Sequence, residues 1–173
     1  ATTEIYTLPL HGALPILTQA VPGDNVGYNL RGVAHTDIRR GDVCGPENDP
    51  PSVARAFKAS VMILDHPNVI TKGYTPVFHC HTAQVACTFD TLLAKMDPRT
   101  GEVTEENPDF LKKGDAAMVL IKPTKPLAIE EQAKFKQLSR FAIRDMGKTV
   151  AAGMCLKIRS EEHTSELQSH LNL

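Results

Sequence analysis

Strand-forming runs bounded by turn chemistry recur along residues 57 to 158, and this rhythm constrains the fold more than any single motif. Phe57–Leu64, FKASVMIL, is one run; Asp65-His66-Pro67-Asn68 turns the chain, and Tyr74–Phe89 offers a long extended stretch with a bend. Gly114-Asp115 introduces AAMVLIKP, Pro126 introduces LAIEE, and RFAIRDMGKTVAAG at 140–153 closes the series. About six strands over about a hundred residues fit a closed antiparallel barrel, because closure removes the unpaired edges of a sheet. One segment breaks the rhythm: Phe89–Met96, FDTLLAKM, reads as a short helix capped by Asp90. The predicted fold is therefore all-β, a partial first barrel followed by a complete six-stranded antiparallel barrel with one short helix.

The closing run contains Gly147-Lys148-Thr149, the last letters of a phosphate-binding loop. Such a loop needs a glycine where this chain has Ala142, and a helix start where it has Val150-Ala151-Ala152-Gly153. Alternation points to a hairpin instead, with Arg140, Ala142 and Arg144 on one side and Phe141 and Ile143 on the other. The turn falls at Asp145-Met146-Gly147, with Gly147 supplying a positive φ.

At 173 residues the chain has room for one ordinary domain or two small ones. Trp is absent, aromatics make up 5%, and Val, Ile, Thr and Ala carry the apolar load, a profile suited to small barrels. No apolar run approaches the roughly 20 residues of a membrane span, and no leader opens the chain, so a cytoplasmic protein without membrane partners is expected. Cys44, Cys80, Cys87 and Cys155 lack paired spacing and are expected reduced and buried. His79-Cys80-His81 with Cys87 is the one cluster that suggests a metal. On a strand His79 and His81 share a face while Cys80 points away, so no more than two ligands converge and no metal site is assigned.

The ends differ in texture from the rest. Residues 1–16 and 159–170 resemble conceptual translations of two common sequencing-library adapters, the first with Pro9 and Gly12 as departures. Residues 1–16 and 159–173 are accordingly expected to be non-native extensions without strands or helices that continue inward. Setting aside Glu4, Arg159, Glu161, Glu162 and Glu166 from the totals of 19 Lys+Arg and 20 Asp+Glu leaves 18 against 16, a net charge of +2. In what remains, Pro22-Gly23-Asp24-Asn25 is a turn, Val26, Tyr28 and Leu30 alternate, and Gly41-Asp42 breaks the chain. These are the last strands of a β-domain, assigned to 17–52, and Pro50-Pro51 is a linker-like break before a second domain at 53–158. Asp42-Val43-Cys44-Gly45 matches a D-x-x-G pattern but has no phosphate loop before it.

The blocks PGDNVGYNLRGV, DIRRGDV, GYTPVFHCHTAQVACTF, FLKKGDAAMVLIKPTKPL and RFAIRDMGKTVAAGM, in this order, closely resemble the C-terminal half of the translation elongation factor 1-alpha family, in its archaeal-type form. The resemblance covers essentially all of 17–158. It implies a parent with a GTPase domain followed by two β-barrels, which when bound to GTP and Mg delivers aminoacyl-tRNA to the ribosome. No complete phosphate loop and no N-K-x-D guanine motif is found here, so this chain is expected to hold neither GTP nor Mg and to have no catalytic residues. The implied partners are the missing GTPase domain, the T-stem of aminoacyl-tRNA, a nucleotide-exchange factor and the ribosome.

In the related elongation factor Tu, a turn matching Arg144-Asp145-Met146-Gly147 and a strand matching Val77–Ala86 touch the T-stem backbone. The resemblance thus marks Arg140, Arg144, Asp145, Met146, Gly147 and Lys148 as tRNA-binding. Met146 stands where a glycine is usual, and Val77 and Ala86 replace polar residues, so those two strand contacts are expected to be lost or replaced. Arg140, Arg144 and Lys148 on a rigid strand pair suit phosphates. On charge alone a solvated edge, with these cations paired to Asp145 and Glu130 or Glu131, is the commoner arrangement. Tyr74, His79, His81 and Gln84 line either the tRNA-facing surface or the seam with the GTPase domain, or else simply alternate out of the wall. A sibling translational GTPase acting in termination or ribosome rescue, and a stand-alone metal-binding barrel, are the alternatives.

Overall fold

The computed structural model describes residues 5–7, 16–17, 19–21, 23–28 and 32–159. The chain divides into two units, Ala1–Arg39 and Arg40–Leu173. In the first, β1 (Ile5–Thr7) pairs with both β2 (Ile16–Leu17) and β3 (Val26–Tyr28) in a three-stranded antiparallel sheet. β1 and the first residue of β2 fall within residues 1–16. The turn before β3 is closed by Asp24, whose amide donates to the Val21 carbonyl at 3.1 Å and whose Oδ2 accepts the Val21 amide at 3.0 Å. Leu30, most of the first sixteen residues and the adapter-like residues from 160 onward lie outside the described residues.

The second unit holds β4 (Val53–Ala54), β5 (Ala56–Ile63), β6 (Ile70–Thr71), β7 (Val77–Cys80), β8 (Ala83–Met96), β9 (Val103–Glu106), β10 (Phe110–Leu111), β11 (Ala116–Pro123), β12 (Leu127–Ala128), β13 (Arg140–Asp145) and β14 (Lys148–Arg159). The sheet runs β11-β5-β14-β13-β7-β8, and β8 pairs back onto β11, closing six antiparallel strands into a barrel. β9 adds to the outside of β8, while β6–β10 and β4–β12 form short two-stranded pairs. The stretch 40–52 belongs with this unit: Lys134 Nζ meets Asp49 at 2.8 Å, and Glu130 accepts the Ser52 amide at 2.7 Å.

Three expectations are corrected. Phe89–Met96 is the second half of β8, not a helix. Register against β11 skips Asp90 and Leu93, two β-bulges that place Phe89, Leu92 and Ala94 on the buried side. The bulge at Asp90 stretches the period from two to three between Phe89 and Leu92, so the sequence imitates helical spacing there; Asp90 caps nothing and instead pairs with Lys122 at 2.9 Å. The run Tyr74–Phe89 is two strands rather than one bent strand, because His81 takes a φ of 45° and Cys80 pairs with Ala83 across a two-residue turn. Cys80, Cys87 and Cys155 are buried, but Cys44 is exposed, since residues 38–52 form no strand to carry it inward.

The barrel is filled by side chains of the inward-facing alternation. Phe57, Phe78 and Phe89 are fully buried, with Phe141 beside them; Phe57 meets Phe141 edge-on at 5.9 Å, and Phe78 lies 5.0 Å from Phe141. Ile63, Val61, Val119, Ile121 and Ile143 belong to the same core. Truncating one of these phenylalanines costs about 3–5 kcal/mol in a typical core. On β14, Gly153 sits between β5 and β13 where a Cβ would fall 2.5 Å from the Ser60 carbonyl oxygen and 2.8 Å from the Phe141 ring. Gly153→Ala is expected to destabilise the barrel by ~1–3 kcal/mol, read as a lower urea midpoint; an unchanged midpoint would show that the wall yields at this point.

Candidate nucleic-acid interface

The hairpin of β13 and β14 is closed by the pair Asp145 and Lys148, with Met146 at φ 49° and Gly147 at φ 76° between them. Two successive left-handed residues give the tight turn whose twist matches that of antiparallel strands. Gly147 adopts this at no steric cost, whereas Met146 carries a side chain that is 88% exposed and gains nothing from packing. Arg144 bends back over the turn, its Nη2 donating to the Gly147 carbonyl at 3.1 Å.

Below the turn the strand alternates as the sequence implies. Phe141 and Ile143 are buried, and Arg140, Ala142 and Arg144 face outward. Arg140 and Arg144 thus share one face, separated by about 13 Å at the usual strand rise. Register extends that face sideways: Ala142 lies opposite His79 and Arg144 opposite Val77 on β7, while His79 lies opposite Gln84 and Val77 opposite Ala86 on β8. Ala152 on β14 lies opposite Ala142 on the other flank. The structure therefore gathers Arg140, Arg144, His79 and Gln84 on one outer wall.

The remaining candidates go elsewhere. Tyr74 is half-buried beneath the turn, packed against Phe89 at 5.7 Å and edge-on to His66 at 5.2 Å. Its hydroxyl donates to Asp145 Oδ2 at 2.8 Å, so the acidic residue of the turn faces Tyr74 and not the Arg144 side. Burial, then this hydrogen bond, then the carboxylate charge together hold the Tyr74 phenol well above its usual 10.0. Lys148, cross-strand from Asp145, takes the face opposite Arg144 and contributes to lowering the Asp65 carboxyl, after the larger effects of Lys113. His81 leaves the wall altogether, its Nε2 lying 3.0 Å from the Ala128 carbonyl oxygen. No local signal announces the Tyr74–Asp145 bond, which joins residues 71 apart.

The carboxylates that charge pattern offers to the arginines are already engaged. Glu130 accepts the Ser52 amide and hydroxyl at 2.7 and 3.1 Å, and Glu131 accepts the Ile158 amide at 2.9 Å. Asp97, which lines a hollow beside Arg140, accepts the Arg99 amide at 2.7 Å. Among the described residues neither Arg140 nor Arg144 forms an ion pair. Burial, with a smaller contribution from Cys155 at Cys80 and from Cys80 at Cys87, pushes both thiols up to about 12. Among the described residues no three His, Cys, Asp or Glu side chains gather as metal ligands.

A closed six-stranded barrel with a basic outer hairpin defines the class, and comparison with known proteins identifies the family. Residues 56–156 match the family described as GTP-eEF1A C-terminal domain-like, and the chain belongs to it. It is 63% identical over 159 residues to elongation factor 1-alpha of Methanoregula boonei, and 62% identical over 158 residues to that of Methanocaldococcus jannaschii. These alignments cover 92% and 91% of this chain but 37% and 36% of the relatives, so the chain spans little more than a third of their length. The crystal structure of Sup35 complexed with GDP superposes with a TM-score of 0.81 at 30% identity, covering 91% of this chain and 37% of that one.

Two substitutions probe this hairpin. Met146→Gly is expected to raise the denaturation midpoint, worth about 0.5–1 kcal/mol, by removing the strain of a left-handed methionine. Tyr74→Phe is expected to cost about 1 kcal/mol at neutral pH. Because the folded phenol titrates above the unfolded one, the parent's stability contribution from Tyr74 is complete below pH 10.0 and declines as pH rises beyond it. The phenylalanine variant should lose that part of the alkaline slope in pH-dependent urea melts; a parallel slope would refute the assignment.

Proposed function

We propose that this chain is the C-terminal part of a translation elongation factor of the 1-alpha type. In this reading one barrel wall docks on the GTPase domain while the β13–β14 hairpin holds the T-stem backbone of aminoacyl-tRNA. GTP, Mg and the hydrolytic chemistry belong to the GTPase domain, and the nucleotide-exchange factor and ribosome are partners of the assembled factor. The observation that carries the reading is the pair Arg140 and Arg144, aligned on one outward face of a strand braced on both sides, with no carboxylate partner among the described residues. Cations held this way meet phosphates by position, which suits the shape-and-backbone recognition of A-form RNA. His79 and Gln84 extend the same wall and supply hydrogen-bonding groups where Val77 and Ala86 supply none.

Identities of 58–63% to elongation factor 1-alpha from several archaea favour this reading over a sibling translational GTPase of termination or rescue. No helix of the described residues is long and apolar enough to cross a membrane.

Fluorescence anisotropy with aminoacyl-tRNA at about 50 and 200 mM salt tests the proposal. Binding is expected to be weak and to fall steeply with salt, and Arg140→Ala and Arg144→Ala should each reduce the slope of log K against log salt by about 1. A tight, salt-insensitive complex, or a double variant with an unchanged slope and an unchanged melting midpoint, would contradict it. Calorimetry with GTP should show no binding heat; a saturable heat would place nucleotide chemistry in this chain.

A further inference from the structure

The wall of the barrel facing away from Arg140 and Arg144 carries a second patch. Around the closed sheet β5 lies three strands from β7, and β11 three strands from β13, so the two walls are opposed. There a hollow of about 370 Å³ is lined by Lys58, Leu93, Leu120, Lys157, Ile158 and Arg159. Lys58 on β5 lies directly opposite Leu120 on one side and Lys157 on the other. Leu93 comes to the surface as the extra residue of a bulge in β8, and a second bulge, at Leu156, sets Lys157 against Lys58.

Two features of this hollow have no explanation within the barrel. Lysines directly opposite across a ladder repel and weaken the pairing. Yet among the described residues neither Lys58 nor Lys157 has an ion pair or a side-chain hydrogen bond to offset that repulsion; Arg159, at the rim, belongs to the expected extension 159–173. Glu131, the acidic side chain bonded to this part of β14, is taken up by the Ile158 amide. Leu93 and Leu120, meanwhile, are half-buried and remain partly in water, whereas Ile158 packs against the core.

We propose that this hollow docks a segment of a protein partner in which an aliphatic side chain is flanked by carboxylates. Charge complementarity sets the class of occupant. A nucleic-acid backbone would satisfy the cations but leave the outward parts of Leu93 and Leu120 in water. A purely apolar segment would strip water from two lysines without replacing it, which is costly. An acidic-aliphatic segment satisfies both, and the volume accommodates one large apolar anchor with its neighbours. Because the hollow lies on the opposed wall, its occupant and an RNA on Arg140 and Arg144 bind together without exclusion.

The test is fluorescence anisotropy on the full chain with a labelled, amidated peptide of alternating glutamate and leucine. Saturable binding is expected, weakened about tenfold or more by the pair Lys58→Ser with Lys157→Ser, and likewise by Leu120→Asn. A peptide of equal length alternating glutamate and serine should bind about tenfold more weakly, since it lacks the anchor. The double lysine variant relieves repulsion, so its melting midpoint should equal or exceed the parent's, which separates lost binding from lost folding. Absence of binding by the glutamate-leucine peptide overturns the proposal, as does equal binding of the glutamate-serine peptide or unchanged binding by the double variant. Displacement of the bound peptide by tRNA would make the surface a nucleic-acid site, and displacement by phosphatidylserine vesicles a lipid site; either result overturns a protein partner.

Discussion

The pairing of β8 with β11 turns an open sheet into a barrel, and the other features of the second unit depend on it. An open six-stranded sheet would leave two rows of unpaired backbone groups, and closure satisfies both at once. It also forces curvature. β8 runs 14 residues, pairing with β7 at its start, with β11 along its length and with β9 at its end. A straight strand could not do this, and the bulges at Asp90 and Leu93 supply the bend. Closure then encloses the cluster of Phe57, Phe78, Phe89 and Phe141, whose burial is the main apolar stabilisation of the wall that carries the hairpin.

From this follows the presentation of the basic face. β13 is bonded on both sides, to β14 and β7, and its inward residues Phe141 and Ile143 are locked in the core. The outward arginines therefore project from a backbone with little freedom, which reduces the entropy lost on meeting a ligand. At the tip the Tyr74–Asp145 bond ties the turn to the segment between β6 and β7 and keeps the carboxylate on the side away from Arg144. Had Asp145 pointed outward, its carboxylate would have stood beside the guanidinium of Arg144, the residue before it. The tyrosine thus contributes to the electrostatics of a face on which it does not stand.

The two opposed walls differ in kind. Around Arg140 and Arg144 the outward neighbours include the small Ala142 and Ala152 and the polar His79 and Gln84, which leaves room for a broad polar surface. Around Lys58 and Lys157 the outward neighbours include Leu93 and Leu120, which make a partly apolar surface hollow. A single barrel of this size supports both because inward alternation fixes the core and leaves every outward position free to vary.

Much of this was legible in the sequence, and for local reasons. Alternation of Phe141 and Ile143 with Arg140, Ala142 and Arg144 fixed which side of β13 faces water, and Gly147 marked a tight turn at Asp145-Met146-Gly147; that Met146 is left-handed too, making it a two-residue turn, came only with the structure. The ordered blocks located the family. What tertiary structure decided were the places where a distant partner overrides local preference. FDTLLAKM is strand because β11 offers it a ladder and bulges absorb its helical spacing; His81 leaves the wall because a two-residue turn needs a left-handed residue there. Likewise Asp145 turns inward because Tyr74, 71 residues earlier, is brought beneath it by closure of the barrel. Sequence determines the faces of each strand because side-chain alternation is a property of the backbone; which groups meet across strands depends on register and closure, which exist only once the chain has folded.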